Sequence, residues 1–591
     1  MKIFKQLLFL LTIKERKKAL LLMVMILIMA LLDMVGVASI VPFVAVLTNP
    51  TLIETNLILN TLFEASLKIG IENNQEFLFF LGTLVFLIFI VSIFFKALTT
   101  YMQVRFVSMC EYSLGKRLLK EYLNQPYSWF LNRNSAELGK NILSDVGQVI
   151  GYGIKPCLEL MAKSMIAAGL IALLIFVDPK LSFIIALSLG GAYGLVFYFI
   201  RKYVNMIGKK RLKNNELRFL AINESFGAAK EIKAGGLEEI YIESFSKPAL
   251  IFAKTNAFAM IVALLPRYIL EVIAFGGILL LILYMMTQSS DFNSFLPILS
   301  LYIFAGYRLM PALQEIYNSL VQLTFVSPAL KKLYNDLNEL NLQNINQNKK
   351  ETLTFEKNIT LNKVNYHYPN SSRATLKDIS INIPAKTKVG FIGPTGSGKT
   401  TIVDIILGLL IPQNGTLEID GKVVTNKNLR AWQRSIGYVP QNIFLTDDTI
   451  ASNIAFGVEQ KNIDQGAVEK VAKTANLHEF VMNELPKKYQ SIIGERGIRL
   501  SGGQRQRIGI ARALYHNPKV LVLDEATSAL DNFTELEVMD AINNLGNDIT
   551  VILIAHRLNT VKNCDIIFKL EKGNLIDKGS FDTVVNSKKN F

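Results

Sequence analysis

The chain has 591 residues, of which 51% are hydrophobic and 19% charged, with a mean hydropathy of +0.32 and a formal net charge of +15. So positive a hydropathy excludes an ordinary soluble enzyme, because the excess apolar residues need a solvent other than water. The basic balance suits nucleic acid or a membrane surface. The three cysteines, Cys110, Cys157 and Cys564, are scattered and indicate neither a disulfide framework nor a zinc site.

Six apolar segments are each long enough to cross a bilayer, which takes about 20 helical residues. The first is too long for the apolar core of a signal peptide, so we predict a retained membrane helix. The predicted spans are residues 20–47, 77–98, 154–177, 181–203, 264–286 and 295–320.

Basic residues cluster before the first span, between the second and third, and after the fourth, whereas the other connections carry few. Because positive residues remain on the cytoplasmic side, both termini are predicted to be cytoplasmic. This distribution favours a membrane partner over nucleic acid. The long connections 99–153 and 204–263 have helical periodicity, so the spans should extend into the cytoplasm. Segment 51–70 is predicted to be an external interfacial helix.

The apolar pattern changes after the sixth span. A polar stretch follows, and then short strands alternate with helices, as in α/β domains. We therefore predict an all-α membrane domain of six transmembrane helices at residues 1–335, a linker at 336–354 and an α/β domain at 355–591.

The sequence GPTGSGKT follows an apolar strand and opens an apolar helix, which is the context that a phosphate-binding loop requires. Glycines allow backbone N–H groups to face phosphates, and the helix N-terminus adds partial positive charge. The lysine can neutralise phosphate charge, and the last threonine can bind Mg²⁺. The loop residues are Gly393, Pro394, Thr395, Gly396, Ser397, Gly398, Lys399 and Thr400, with Thr401 next in the helix.

A second apolar strand ends in Asp524 and Glu525. An acid at the end of a strand beside a phosphate loop can hold Mg²⁺, and the following acid can act as general base towards water. Together with the loop, this pair predicts an ATP hydrolase that uses Mg²⁺.

The segment LSGGQ lies shortly before Asp524 and resembles the signature of the ABC ATPases. In motif order the whole chain resembles an ABC exporter half-transporter. The resemblance implies that Tyr368 stacks on adenine, that Gln441 senses the γ-phosphate and Mg²⁺, and that His556 contacts the γ-phosphate. It further implies nucleotide contacts for Asp531 and for the signature residues Ser501, Gly502, Gly503 and Gln504.

The same resemblance implies a dimer, since the signature of one ABC protomer caps the ATP held by its partner. Every motif retains its consensus residues, Glu525 included, which favours a homodimer with two competent sites. Residues 128–138 and 234–240 resemble the two coupling helices that rest on the ATPase domains.

Charged residues also occur within the apolar segments, where they are costly and often functional. Arg267, Arg308 and Lys96 are candidate substrate contacts. The alternative is structural, since Arg267 and Glu271 are spaced to form an ion pair on one helix. Arginines that contact substrate should face the space between the helical bundles, whereas structural ones should lie in local ion pairs.

Three segments resemble the bacterial flippases of lipid-linked oligosaccharides: Pro266-Arg267-Tyr268, YRLMP at residues 307–311, and 51–70. In that group membrane arginines attract the pyrophosphate of the lipid carrier, which a guanidinium matches in geometry. Glu315 departs from the pattern, because an arginine is expected there.

These observations predict ATP-driven export of an amphipathic substrate, with a lipid-linked oligosaccharide or related phosphorylated lipid as the leading candidate. Exporters of lipid A, phospholipid, peptides or drugs remain alternatives, as does an ATP-dependent regulator that transports nothing. Six spans argue against a soluble ATPase that acts on nucleic acid.

Overall fold

The computed structural model describes residues 2–48, 50, 52–68, 70–71, 73–177, 179–287, 292–342, 353–369, 373–494, 497–525, 535–537, 539–540, 548–555 and 557–585. The chain divides into two compact units. The first comprises Met1–Gln125 and Arg133–Gln343, and the second comprises Pro126–Asn132 and Asn344–Phe591. The described part of the first unit is helical and that of the second is α/β, which confirms the predicted fold class.

Long helices dominate the first unit, and two π-helical turns, Asn141–Asp145 and Ile150–Ile154, interrupt the chain before α10. The short helix α7 (Tyr127–Phe130) belongs to the second unit. The helices of the first unit are α1 Lys2–Leu10, α2 Ile13–Ala38, α3 Ile40–Thr48, α4 Leu52–Thr55, α5 Leu57–Leu67, α6 Asn74–Leu123, α8 Ser135–Lys140, α9 Val146–Val149, α10 Lys155–Val177, α11 Pro179–Gly227, α12 Ala229–Gly235, α13 Glu238–Thr287 and α14 Phe292–Leu342.

Each predicted span coincides with helix in the structure. The second, fourth, fifth and sixth spans lie inside α6, α11, α13 and α14, and the third matches α10 to within a residue. In the described part of the chain, four helical stretches are long and apolar enough to cross a membrane: Ile13–Leu47, Asn74–Leu123, Ser135–Phe176 and Glu238–Tyr268. Helix α14 runs to Leu342, past the predicted domain end at residue 335, so the linker begins later than predicted.

The first span is broken at Ser39, between α2 and α3, where one continuous helix was predicted. Pro42 lies three residues further on. Because proline has no backbone N–H and its ring crowds the preceding turn, it disfavours an uninterrupted helix here. The Ser39 hydroxyl donates to the Gly36 carbonyl oxygen at 2.9 Å and satisfies one acceptor at the break.

Segment 51–70 forms the two short helices α4 and α5. Ile53 and Leu59 are buried in one apolar cluster with Val46, Phe77 and Leu81. Part of its apolar face therefore packs on helices α3 and α6, which an interfacial helix lying freely on the membrane would not do.

The second unit contains two sheets. The antiparallel sheet has the order β2-β1-β4-β5, and the main sheet has the order β10-β9-β3-β8-β7-β6, in which only the β10–β9 pair is antiparallel. The strands are β1 Asn358–Tyr366, β2 Leu376–Pro384, β3 Lys388–Ile392, β4 Asn414–Ile419, β5 Lys422–Val423, β6 Ile436–Val439, β7 Val520–Asp524, β8 Thr550–Ile554, β9 Ile566–Glu571 and β10 Asn574–Gly579.

Helices flank these sheets and bury their apolar faces. They are α15 Lys399–Ile406, α16 Leu429–Arg434, α17 Ile450–Ile454, α18 Gln465–Thr474, α19 His478–Asn483, α20 Gly502–Leu514 and α21 Phe581–Val585, with 3₁₀ turns at Gln460–Asn462, Lys488–Gln490 and Leu558–Val561.

The parallel strands β3, β8 and β7 are neighbours, so their carboxyl ends meet at one edge of the main sheet. Ile554 is paired with both Phe391 and Asp524, which aligns the three ends. In open α/β sheets this edge is where ligands bind. Both motifs predicted to carry chemistry, the glycine-rich loop after β3 and the acids at the end of β7, therefore lie on it.

Candidate functional site

The loop between β3 and α15 has a backbone that only glycine can supply at two positions. Gly393 has φ +151, and a Cβ there would come within 2.2 Å of the Leu570 carbonyl oxygen. Gly398 has φ +103, and its Cβ would lie 2.6 Å from Leu376. A side chain at either position would displace the loop from the end of β3, so the predicted cradle is sterically specified.

Lys399 opens α15 and lies against the loop. Its ammonium Nζ donates to the carbonyl oxygens of Gly393 at 2.8 Å and Pro394 at 3.1 Å, and the residue is only 5% exposed. Burial lowers the pKa of Lys399, and the nearby carboxylates of Glu525 and Asp524 oppose that shift. The Lys399 ammonium is thus bound by two loop carbonyl oxygens and lies near two carboxylates. A bound phosphate could replace the carbonyl oxygens as its partner.

A polar atom in the same loop has no partner. The Ser397 hydroxyl is buried and makes no hydrogen bond with any described residue. Buried polar groups are almost always hydrogen-bonded, so an orphaned hydroxyl beside a buried cation points to a ligand with acceptor oxygens. The loop residues therefore fit a nucleotide phosphate.

The acidic part of the site lies at the end of β7. Asp524 is 5% exposed, and Glu525 follows it in a left-handed backbone conformation with φ +49. The Gln441 amide Nε2 donates to Glu525 Oε2 at 2.6 Å, across 84 residues of sequence. The structure thus brings together the residues expected to sense the γ-phosphate and to activate water.

Tyr368 lies beside the helix that the loop opens. Its hydroxyl is 3.1 Å from Thr401 Oγ1, and its half-buried ring meets Tyr366 edge to face at 5.2 Å. Burial raises the pKa of Tyr368. The tyrosine hydroxyl therefore lies beside the start of α15, and the stacking of the ring on adenine stays a prediction.

The signature residues form a helix N-terminus of their own. Ser501 is the N-cap of α20: its Oγ accepts from the Gln504 backbone N–H at 3.2 Å, and its N–H donates to Gln504 Oε1 at 2.8 Å. Between described residues, no hydrogen bond or ion pair links Ser501, Gly502, Gly503 or Gln504 to the glycine-rich loop. Within one chain these two nucleotide elements do not interact directly.

Two predicted site residues, Asp531 and His556, lie outside the described residues. Across the described ranges, no group of three or more His, Cys, Asp or Glu residues could enclose a metal ion. Thr400, Asp524 and Gln441 offer a hydroxyl, a carboxylate and an amide oxygen, and oxygen is the ligand type that Mg²⁺ takes in proteins, usually with phosphate oxygens and water beside it.

Three residues at this site were missed by sequence reasoning. Burial, with the charge of Asp524 next, raises the pKa of Asp404 to about 6. Burial, with the charges of Asp524 and Asp404 next, raises the pKa of Tyr438. Arg512 donates to the carbonyl oxygens of Asn453 at 2.8 Å and Phe444 at 2.7 Å, and so fixes the segment after Gln441. Only Asp404 had a sequence signal, as a lone acid in the apolar helix α15.

The charges predicted as substrate contacts lie elsewhere, in the first unit. Arg267 Nε donates to Glu271 Oε1 at 2.7 Å within α13. Arg308 on α14 forms an ion pair with Asp33 on α2, a carboxylate that is 3% exposed and also accepts from Ser92 at 3.0 Å. Lys96 is exposed on α6. Both arginines are thus in local ion pairs, the arrangement expected of structural residues.

Comparison with known proteins extends these observations. Residues 38–304 match the family model described as ABC transporter transmembrane region, and residues 376–528 match the family model described as ABC transporter. The chain is 32% identical to an ATP-dependent lipid A-core flippase of Saccharophagus degradans over 483 residues, 80% of this chain and 79% of that protein.

Two further similarities differ in extent. A Beta-(1-->2)glucan export ATP-binding/permease protein of Bartonella bacilliformis is 40% identical over 233 residues, 39% of this chain and 38% of that protein. The solved structure of a bacterial Atm1-family ABC exporter with ATP bound matches 97% of this chain and 96% of its own, with a TM-score of 0.72 at 22% identity.

The family models cover both halves of the chain in the order that the motifs predicted, and the fold agrees over nearly the whole length. The chain therefore belongs to the ABC transporters, as an exporter half-transporter in which a membrane region is fused to an ATPase domain that hydrolyses ATP to drive transport.

Proposed function

We propose that this exporter moves a phosphorylated amphipathic lipid, such as a lipid-linked oligosaccharide, across the bacterial cytoplasmic membrane, with both termini and the ATPase domain in the cytoplasm. The observation that carries the lipid assignment is the extent of similarity to the lipid A-core flippase. That alignment is longer than the ATPase domain, so it includes much of the membrane region, where substrate is recognised. The basic connections support the orientation.

In the ATPase domain, Lys399, Ser397 and the loop N–H groups would hold the nucleotide phosphates, with Tyr368 beside the base. Thr400, Asp524 and Gln441 would hold Mg²⁺, which neutralises phosphate charge when bound. Glu525 would take a proton from the attacking water, and its hydrogen bond to Gln441 supports this role because it restrains the carboxylate. Asp531 and His556 keep the roles implied by the family.

We further propose that the working unit is a homodimer. Among described residues, no hydrogen bond or ion pair links the capped N-terminus of α20 to the loop of its own chain, which supports a model in which a second copy supplies a signature to each nucleotide. Because one chain contains one intact copy of each element, two identical chains give two complete sites.

The test is lipid movement by the purified chain in proteoliposomes. A fluorescent phosphorylated lipid in the outer leaflet is accessible to a membrane-impermeant quencher, and ATP-driven flipping changes the accessible fraction. We expect a change that requires ATP and Mg²⁺ and is absent from the Lys399→Ala variant. A chain that hydrolyses ATP normally but moves no phosphorylated lipid in either direction would disprove the lipid assignment and leave the exporter assignment intact.

A further inference from the structure

A cavity of about 680 Å³ opens on the first unit beside the middle of α11, and its described lining does not include Arg267 or Arg308. Its wall combines three aromatic rings with two cations and two neutral polar side chains. The lining residues are Phe197, Tyr198, Phe199, Arg201, Lys202 and Asn205 of α11, with Thr324 of α14.

The polar side chains share one face of α11 because of helical spacing. Phe197, Arg201 and Asn205 follow one another at intervals of four residues, as do Tyr198 and Lys202. Residues four apart are neighbours on a helix surface. In each of these two neighbouring series, the cation lies one helical turn after an aromatic ring. Positive charge and apolar surface are therefore adjacent on the helix.

The positive charge in this cavity is uncompensated. Among the described residues, no carboxylate lines it, and neither Arg201 nor Lys202 makes an ion pair or a side-chain hydrogen bond. The Asn205 amide is likewise without a described partner. Arg267 and Arg308, by contrast, are already neutralised by Glu271 and Asp33. Within the cavity, Arg201 and Lys202 thus have no described carboxylate partner and can attract an anion.

The aromatic rings form an ordered apolar wall. Phe197 meets Tyr317 of α14 edge to face at 6.4 Å, and Tyr198 meets Phe199 at 5.6 Å. Tyr198 and Phe199 are 68% and 74% exposed. Exposed aromatic rings beside basic residues are typical of the level of the lipid head groups. A ligand that satisfies both the rings and the cations must have an anionic head next to hydrocarbon.

We propose that this cavity binds the phosphorylated head group of a membrane lipid, the substrate of the transporter. This rests on the proposed function and moves anion recognition from Arg267 and Arg308 to Arg201 and Lys202. The Arg201 guanidinium can donate two parallel hydrogen bonds to a phosphate, while Lys202 adds a compact charge. The Asn205 amide can donate to a phosphate or hydroxyl oxygen. The rings contact the start of the lipid tails.

Two double variants of the full chain, purified in detergent, test the site. Arg201→Gln with Lys202→Gln removes the cations of the cavity. Lys209→Gln with Lys210→Gln removes the same charge from exposed positions on the same helix that do not line it. Binding of fluorescent phosphatidic acid is measured, with phosphatidylcholine as neutral reference. We expect about ten- to hundred-fold weaker binding for the first variant, since charge-assisted hydrogen bonds are among the strong ones, and little change for the second.

A charge-preserving exchange, Arg201→Lys with Lys202→Arg, controls for loss of binding through misfolding. This variant should bind phosphatidic acid nearly as tightly as the parent chain does. If the cavity and control variants lose binding equally, the basic residues act only as a general attraction to anionic membranes and the proposal is wrong. If inorganic phosphate binds as tightly as phosphatidic acid, the site takes a free anion, and the lipid assignment of the cavity is wrong.

These outcomes are separate from failure of the proposed function. If the parent chain flips lipid while the cavity variant binds phosphatidic acid normally, the proposed function stands and the cavity proposal is wrong. If the parent chain flips no lipid, yet the cavity variant alone loses phosphatidic acid binding, the cavity proposal stands and the proposed function is wrong.

Discussion

Glu525 combines an uncommon backbone conformation with a short side-chain hydrogen bond. A non-glycine residue with positive φ stores about 1–3 kcal/mol of strain, and such residues occur preferentially at functional sites. The backbone N–H of Glu525 donates to the Ile554 carbonyl oxygen at 3.2 Å, which ties the strained residue to the end of β8. The carboxylate is thereby aimed at the edge where the phosphate loop ends, and Gln441 holds it there.

We predict that Glu525→Gln reduces steady-state ATP hydrolysis by at least about a hundred-fold, the usual contribution of a general base. Glutamine keeps the shape of the side chain but cannot take up a proton, so ATP binding should persist. Phosphate release at saturating ATP measures the first effect, and retention of labelled ATP on the protein measures the second. Hydrolysis at the parent rate would refute the assignment of Glu525 as base.

Asp404 should make stability depend on pH. Its pKa is about 6 in the folded chain, against an ordinary value of 3.8, because of burial and the charge of Asp524. The folded state retains the proton between about pH 4 and 6 while the unfolded state releases it. This contribution to stability is therefore complete below about pH 4 and is lost as the pH rises through about 6.

Asp404→Asn removes that titration, so the variant should be more stable than the parent at pH 7.5 and lose this advantage towards pH 4. Since the side chain is partly exposed and solvent screens its charge, we expect about 1 kcal/mol at pH 7.5, or roughly 2–4 °C in Tm. Thermal unfolding of both chains across this pH range measures the difference. Parallel pH profiles for parent and variant would contradict the raised pKa.

At the scale of helices, the ion pair of Arg308 and Asp33 joins α14 to α2. Removing one partner of a buried pair leaves an uncompensated charge and typically costs about 3–5 kcal/mol. Arg308→Gln should therefore lower the unfolding temperature in detergent, and adding Asp33→Asn should restore much of it. Arg267→Gln is the matched control, because its pair with Glu271 is exposed and should contribute little to stability.

A substrate role predicts a different pattern. If Arg308 serves mainly to bind cargo, Arg308→Gln should unfold at the parent temperature while transport falls, and the second substitution should rescue nothing. Unfolding curves and transport rates of the same preparations distinguish these cases.

Elements determined by local chemistry were predictable from sequence, whereas those determined by packing were not. The apolar strand before the glycine-rich loop was predicted where β3 lies, because glycine spacing and an apolar run are local properties. The Arg308–Asp33 pair spans 275 residues and depends on how α2 and α14 pack, which no single segment reveals. The break at Ser39 lies between these cases, since Pro42 offered a local signal that hydropathy alone did not register.

The same distinction applies to the candidate site. Lys399 and Asp524 were found from their motifs, and the proximity of Gln441 to Glu525 was implied only by family resemblance. Asp404 and Arg512 were missed because their significance arises from burial and from contacts with distant segments. Hydrophobic periodicity identified the long helices, but the π-helical turns at Asn141–Asp145 and Ile150–Ile154 have no comparable sequence pattern.

At the scale of the whole molecule, the central question is whether two chains share each nucleotide site. In a homodimer the loop of one chain would face the signature of the other, so two different defects can be placed on separate chains. Lys399→Ala removes the phosphate-binding cation, and Ser501→Arg removes the N-cap of α20 and fills the signature. Each variant alone should form dimers in which both sites are defective.

A mixed dimer of the two variants concentrates both defects in one site and leaves the other intact. In a random equimolar mixture half of the dimers are mixed, so about a quarter of all sites should be complete. We expect each single-variant preparation to occlude ATP only near background. After co-expression of the two variants, the occluded fraction should rise towards a quarter of all sites, as measured by filter retention of labelled nucleotide. Because cooperation between sites can suppress turnover, occlusion is the decisive readout rather than hydrolysis. No recovery in verified mixed dimers, or normal occlusion by a strictly monomeric chain, would show that each site is built from one chain.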